Sequence, residues 1–383
     1  MLIRNALVYG EDFRPFAGDV AVRQGHIAAM GEHLDEPLAE CLDAHGARLV
    51  PGFVDIHIHG ALGRDVADAS RESLHAISLT LASKGVTSFC PTIAAMPPEL
   101  LEQSARAVAE FMGHERGARM HGLHLEGPFI SQANCGAQNP RHTRWPSLEE
   151  FHRLRGTAPI SIVNLAPELP GALDFAQQAA PFCRVAMGHT EASYEEAAAA
   201  MEAGISHAAS LFCAMPPLHH RAPGAAGAVL DAPAITAELI ADGVHLHPAA
   251  VRLAMRLLGE DRAVVVSDSA AAAGLPEGRY QLGGTAYHRK NNAVYVDETT
   301  LAGSSCSLYE EFRNLLHWGI DERTALKSVT INPAQVIGKA HEIGSIAPGK
   351  AADFLLLEHD WSLRAVIIGG RLFDATVPAS LPA

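Results

Sequence analysis

No apolar run in this chain approaches the roughly 18–20 residues that a membrane-spanning helix needs, so no membrane partner is expected. The opening Met1-Leu2-Ile3-Arg4-Asn5 lacks the long apolar core of a secretory signal. Six cysteines are scattered with no Cys-x-x-Cys pair among them. That argues against a disulfide framework and for reduced thiols in a cytoplasmic protein. Positive charge is also short: 29 Lys and Arg stand against 43 Asp and Glu, a net charge of −14. This balance speaks against nucleic acid as a partner. It leaves an anionic metabolite open, because one arginine or one helix N-terminus can hold a phosphate.

What the chain has is hydrophobic bulk, 48% of 383 residues, enough for one large domain and a smaller one. Residues 1–50 alternate short β-like pieces (Leu2–Tyr9, Val20–Val22, His26–Met30) with glycine turns. From about residue 51, apolar segments such as Gly85–Phe89, Met120–Leu125 and Ile160–Leu165 alternate with helical stretches such as Leu74–Lys84 and Leu100–Met112. The pattern continues through Val185–Gly188, Ile205–Ala209, Ile235–Ile240 and Ala263–Ser267. Strand–helix repetition over roughly 290 residues predicts an α/β fold, a (β/α)8 TIM-type barrel spanning 51–345. After Asn332-Pro333 short strands return at Ala352–Glu358 and Ala365–Leu372. The two chain ends, 1–50 and 346–383, are therefore expected to form one small β-sandwich domain.

The most informative local pattern is Leu49-Val50-Pro51-Gly52-Phe53-Val54-Asp55-Ile56-His57-Ile58-His59, an apolar strand ending in two histidines one residue apart. Side chains alternate along a strand, so His57 and His59 share a face and can share a divalent metal such as zinc. Alone, the pair reads more readily as a polar strand end. Other apolar segments also stop on chemistry-bearing residues: Glu126 before Gly127-Pro128, His189, His245 and Asp268. In a barrel such tips converge on one mouth, where active sites of this fold sit. Imidazoles and a carboxylate can bind a metal and leave room for water, whose pKa the metal lowers towards about 7. Glu126 is the expected carboxylate ligand. Asp268, ending a late strand that faces the His57/His59 pair, is the expected proton carrier. Cys213 is expected to be a small semi-buried pocket thiol, not a nucleophile.

These residues resemble the N-acetylglucosamine-6-phosphate deacetylase family of the amidohydrolase superfamily, along nearly the whole chain. The resemblance rests on VPGFVDIHIHG (50–60), HLEGPFI (124–130), GAQNPRH (136–142), GHTEASYEEA (189–198) and MPPLHHRAPG (215–224). Further matches are IADGVHLHP (240–248), VVVSDSAAAAGLPEG (264–278), LAGSS (301–305) and GSIAPGKAADFLLL (344–357). It implies a hydrolase that deacetylates an aminosugar 6-phosphate, N-acetylglucosamine 6-phosphate first. It implies a metal held by Glu126 and His189, with His57 and His59 available for a second ion; zinc is the first choice and iron the alternative. It makes Asp268 the general acid/base and His245 a contact to sugar or acetamide. Arg221 and the Ala137 backbone would meet the substrate, with the arginine near the phosphate and Leu301 to Ser304 bordering the sugar. Gln138, Cys213 and Ala214 fall on further pocket positions, and a homodimer is implied.

Three positions depart from the family pattern. Ser210 stands where a metal-binding histidine is usual, Cys213 where an asparagine is, and Gln138 where another histidine is. A serine hydroxyl is a far poorer zinc ligand than imidazole, and His207, three residues away along an extended strand, is expected to face the other side. Two explanations follow. Either the metal moves toward His57 and His59 and the pocket suits another substrate, such as the galactosamine epimer or another amide, or the chain is a catalytically silent sugar-phosphate binder.

Overall fold

A computed structural model describes residues 1–35, 40–282 and 285–374. Its centre is a ring of eight parallel strands, here β1 (Phe53–Ile58), β2 (Val86–Ile93), β3 (Leu123–Leu125), β4 (Ile160–Leu165), β5 (Arg184–Met187), β6 (His207–Ala208), β7 (Thr236–Leu239) and β8 (Ala263–Val265). Each pairs in parallel with the next. The ring closes where the Asp268 N–H donates to the His57 carbonyl at 2.9 Å and Ile58 bridges to Ser269. Every residue of β1 and β2 is buried, as expected for strands covered on both faces, and this is why they read as continuous apolar runs. Val54, Ile56, Cys90, Ile162, Ala186, Ala209, Val264 and Val266 fill the interior, so the barrel is a packed core with chemistry only at its rim.

The helices form where the sequence supplies caps. Ser70 accepts from the Ser73 N–H ahead of Arg71–Ser83, and Ser193 with Glu196 closes a capping box on Tyr194–Glu202. Caps of this kind contribute about 1 kcal/mol each. Pro248 opens the helix Pro248–Arg262 directly after the His245 loop, a position that suits its fixed φ.

Strands from both chain ends are hydrogen-bonded in one sheet, in the order Arg371–Leu372, Leu363–Ile368, Phe354–Leu357, Arg48–Pro51, Leu2–Tyr9, Pro15–Arg23, His26–Gly31, with Cys41–Asp43 beside Leu2–Tyr9. Phe354, Ile367, Leu49, Val8 and Val20 share its core. The segments 36–39 and 375–383 of the expected terminal domain lie outside the described residues. Between β8 and the last helices, an antiparallel sheet is inserted: Gly278–Leu282, Thr285–Lys290, Ala293–Tyr295 and Leu301–Ser304. The sequence reading did not anticipate this sheet. Most of the residues of Gly278–Leu282 and Thr285–Lys290 are exposed or half-buried, so no apolar alternation marks them.

Candidate active site

The strand tips do converge. His57 is the penultimate residue of β1 and His59 follows the strand, Glu126 follows β3, His189 lies two residues beyond β5, His245 lies past β7, and Asp268 lies past β8. One nitrogen or oxygen from each of His57, His59, Glu126 and Asp268 falls within 4.8 Å of the others. His59 Nε2 is 3.2 Å from Glu126 Oε2 and 3.5 Å from Asp268 Oδ1; His57 Nε2 is 3.2 Å from Glu126 Oε1 and 3.6 Å from Asp268 Oδ1. Four donors at this spacing suit one divalent cation with a position left for water.

The orientation of His57 tests that fit. Its Nδ1–H donates to Glu238 Oε2 at 2.8 Å, which leaves Nε2 aimed at the cluster. Nε2 is fully buried and faces Glu126 Oε1 at 3.2 Å without a well-formed hydrogen bond among the described residues. A buried polar atom without a well-formed hydrogen bond is costly, and a metal held between it and the facing carboxylates would satisfy it. A carboxylate behind a ligating imidazole fixes tautomer and ring together. Glu238, itself completely buried, also accepts from His207 Nε2 at 3.2 Å and from the Ser210 N–H at 3.1 Å. His207 is thus occupied below the rim and supplies no substitute for a ligand at Ser210. His124 packs its ring 4.4 Å from that of His57 and donates Nδ1–H to the Ile56 carbonyl. Burial holds its pKa down to about 4, with the neighbouring His57 adding to the shift, so His124 is a neutral wall.

Charge in the cluster is strongly polarised. Burial disfavours a charged His57, yet Glu238 and Glu126 outweigh it and raise its pKa well above the ordinary value. Burial likewise opposes ionisation of Glu126, but His57, His189 and His59 hold its carboxyl well below the usual range. For Asp268, burial wins over His57 and His59 and the pKa is raised. A field that holds protons on buried imidazoles is one that a divalent cation can enter by displacing them.

Backbone geometry marks the same rim. His189, Ser210 and Asp268, all at strand tips, have left-handed φ of 50°, 48° and 44°. Such conformations cost of order 1–3 kcal/mol outside glycine and cluster at functional sites. Gly303 is held against this rim: a Cβ there would sit 2.7 Å from the Asp268 carbonyl oxygen, and its φ is +126°, so only glycine fits.

Above the cluster opens a cavity of about 880 Å3. His59, Glu126, His189, His245 and Asp268 reach it, as do Ala137, Gln138, Cys213, Ala214 and Leu301. Gln138 is also fixed to the Glu126 carboxylate: its Nε2 donates to Glu126 Oε2 at 2.9 Å while its Oε1 accepts from the Ala95 N–H at 2.7 Å. His189 Nε2 lies 3.0 Å from Glu126 Oε1, and its Nδ1 faces the Asn134 carbonyl at 2.9 Å. Burial and the nearby Asp268 and Asp242 carboxylates push the Cys213 thiol up to about 12, which leaves it protonated and a poor nucleophile. Arg221 is not brought to the cavity wall. It is exposed, with Nη1 2.7 Å from His220 Nε2. Among the described residues, no Lys or Arg lines the cavity, while Asp65 and Asp68 do.

Two functional residues escaped the sequence reading. Glu238 is a lone carboxylate inside an apolar strand, and that contrast was its only signal. Asp242 accepts from His245 Nδ1 at 2.7 Å and from the N–H groups of Val244 and His245 at 2.8 Å each, fixing the His245 ring. The Asp-Gly pair at 242–243 signalled only a turn.

The model of the amidohydrolase family matches residues 48–373. The N-acetylglucosamine-6-phosphate deacetylase of Lysinibacillus sphaericus is 32% identical over 379 residues, 97% of each chain. The N-acetylgalactosamine-6-phosphate deacetylase of Escherichia coli O157:H7 is 32% identical over 357 residues, 92% of this chain and 93% of its own. Among solved structures, a mutant N-acetyl-D-glucosamine-6-phosphate deacetylase of Mycobacterium smegmatis in complex with N-acetyl-D-glucosamine-6-phosphate superposes with a TM-score of 0.90 at 30% identity. That match covers 97% of this chain and 99% of the other.

Proposed function

This chain belongs to the amidohydrolase family, and from that premise we propose that it hydrolyses the N-acetyl group of an aminosugar 6-phosphate, N-acetylglucosamine 6-phosphate first, releasing acetate and the free amine. The observation that carries the reading is the four-donor cluster, with the buried His57 Nε2 turned into it, at the base of the cavity. It is joined to relatives of that activity that match almost the whole chain. Both hexosamine epimers occur among the relatives, so the galactosamine epimer is the second substrate to try.

His57, His59, Glu126 and Asp268 are the proposed holders of one divalent ion, zinc favoured, with His189 alongside on Glu126. When bound, such an ion acts as a Lewis acid and makes a nearby water more acidic. Asp268 takes the proton from the attacking water and returns it to the departing amine nitrogen, which must be protonated to leave. His245, locked by Asp242 with Nε2 3.9 Å from Asp268 Oδ2, faces the developing oxyanion and stabilises it. Ala137, Gln138, Cys213, Ala214 and Leu301 shape the sugar site. With no cation on the described cavity wall, Arg221 from the adjoining 215–223 loop is the proposed phosphate contact. The enzyme is proposed to work in the cytoplasm as a homodimer.

The test is acetate release from both N-acetylhexosamine 6-phosphates and from the unphosphorylated sugars, with metal content measured on the same preparation. We expect bound metal and turnover that depends on the phosphate. Metal-replete protein that leaves every acetamido sugar intact would overturn the assignment.

A further inference from the structure

The helix Leu308–His317 carries a completely buried glutamate that the proposed mechanism does not use. Glu311 Oε2 accepts from the Ala241 N–H at 2.8 Å. One turn further along the same helix, Asn314 Nδ2 donates to the Ala241 carbonyl at 2.9 Å. Positions three apart on a helix share a face, so the two side chains grip both polar groups of a single residue. That residue immediately precedes Asp242, whose carboxylate holds the His245 ring and backbone.

We propose that Glu311 and Asn314 are positioning residues for catalysis, gripping Ala241 so that the Asp242–His245 pair is held at the cavity. The inference rests on the reading of His245 as the contact to the developing oxyanion.

The helix is a rigid base for such a grip. Ser307 and Glu310 cap its N-terminus, and Leu308, Phe312 and Leu315 are buried in the core. The Phe312 ring packs 5.2 Å from that of Phe53, the first residue of β1, so the helix ties the His245 loop to the strand that carries His57. Loop residues alone fix a ring poorly; a loop gripped from a helix packed on the barrel is held to the tolerance that catalysis needs. The other Glu311 oxygen, Oε1, has no hydrogen-bond partner among the described residues. Burial, then the Asp242 carboxylate, raises the Glu311 pKa well above the usual range. A neutral acid can accept the Ala241 N–H without adding a second negative charge behind Asp242.

The test compares Glu311→Leu, Glu311→Gln and Asn314→Leu by steady-state kinetics and by hydrogen exchange of the 241–245 amides. Loss of an oxyanion contact acts on kcat, not on ground-state binding. Glu311→Leu and Asn314→Leu are therefore expected to lower kcat roughly tenfold or more with KM nearly unchanged, and to speed exchange of the Ala241, Val244 and His245 amides. Glu311→Gln keeps a neutral acceptor and restores most of both. In a His245→Ala background, Glu311→Leu is expected to cost nothing further; losses that multiply in full would mean a general structural defect and overturn the proposal. A Gln variant as impaired as the Leu variant would also overturn it. Should His245→Ala turn over normally, the reading of His245 fails, and the grip is then judged by exchange alone: unchanged protection in both Leu variants sinks it.

Discussion

The rim of the barrel has two unequal halves. On the side of β1, β3 and β8, three of the four donors have a backing partner. His57 has Glu238, Glu126 has Gln138, and Asp268 is tied through its own N–H to the His57 carbonyl. On the side of β5 and β6, His189 is backed only by the Asn134 carbonyl, the next tip carries Ser210, then Cys213, and the loop beyond runs out to an exposed Arg221. Yet the backbone of the poor half is shaped like that of the rich one, since Ser210 shares the left-handed φ of His189 and Asp268. Backbone strain and side-chain chemistry have come apart at this position. A rim built with two halves is furnished for a cation on one of them.

The largest expected effect lies in the rich half. Asp268→Asn keeps the shape and removes the proton acceptor, so kcat should fall by on the order of 10²- to 10⁴-fold. Metal content should stay near that of the unmodified protein, because His57, His59 and Glu126 remain. Near-normal turnover in this variant would erase the distinction between the halves.

Next comes Glu238→Gln. It leaves the cavity untouched but weakens the acceptor that fixes His57, and the Ser210 N–H and His207 lean on the same carboxylate. Metal affinity should drop about 10–100-fold, read as faster loss to a chelator followed by metal analysis. Unchanged affinity would mean that His57 does not depend on its partner.

This residue also shows what a sequence can disclose. The strand tips were legible because barrel strands are buried on both faces, so a polar residue closing an apolar run stands out: His57, His59, Glu126, His189 and Asp268 all surfaced that way. Glu238 did not, because its meaning lies in partners 181, 31 and 28 residues away. The grip of Gln138 on Glu126 was hidden for the same reason. The inserted sheet at 278–304 was missed on different grounds: strands half open to solvent carry no burial pattern to read.

The poor half gives smaller effects. Arg221→Ala should raise KM for the phosphorylated substrate roughly tenfold, the low end of what a hydrogen bond to a charged group contributes. It should leave the slow turnover of the unphosphorylated sugar unchanged. Equal effects on both substrates would place the arginine's role elsewhere than on phosphate.

Ser210→His is the mildest change in rate and the sharpest probe of the comparison. The new side chain meets a backbone already in the left-handed region, which histidine tolerates better than most residues. The Ser210 N–H bond to Glu238 is a main-chain contact and survives the substitution. The imidazole would project at the rim beside His189, whose Nε2 already lies 3.0 Å from Glu126 Oε1. That sets two imidazoles and a carboxylate on the half that now offers fewer, a donor set that suits zinc where a serine hydroxyl does not. Bound metal should therefore rise from about one ion per chain toward about two under zinc-replete conditions, with kcat within a few-fold of the starting protein because Asp268 and His245 are undisturbed. A metal count that stays the same would show that the Ser210 tip, despite its strained backbone, points away from the ion, and that the asymmetry of the rim is set by the position of Glu126 instead.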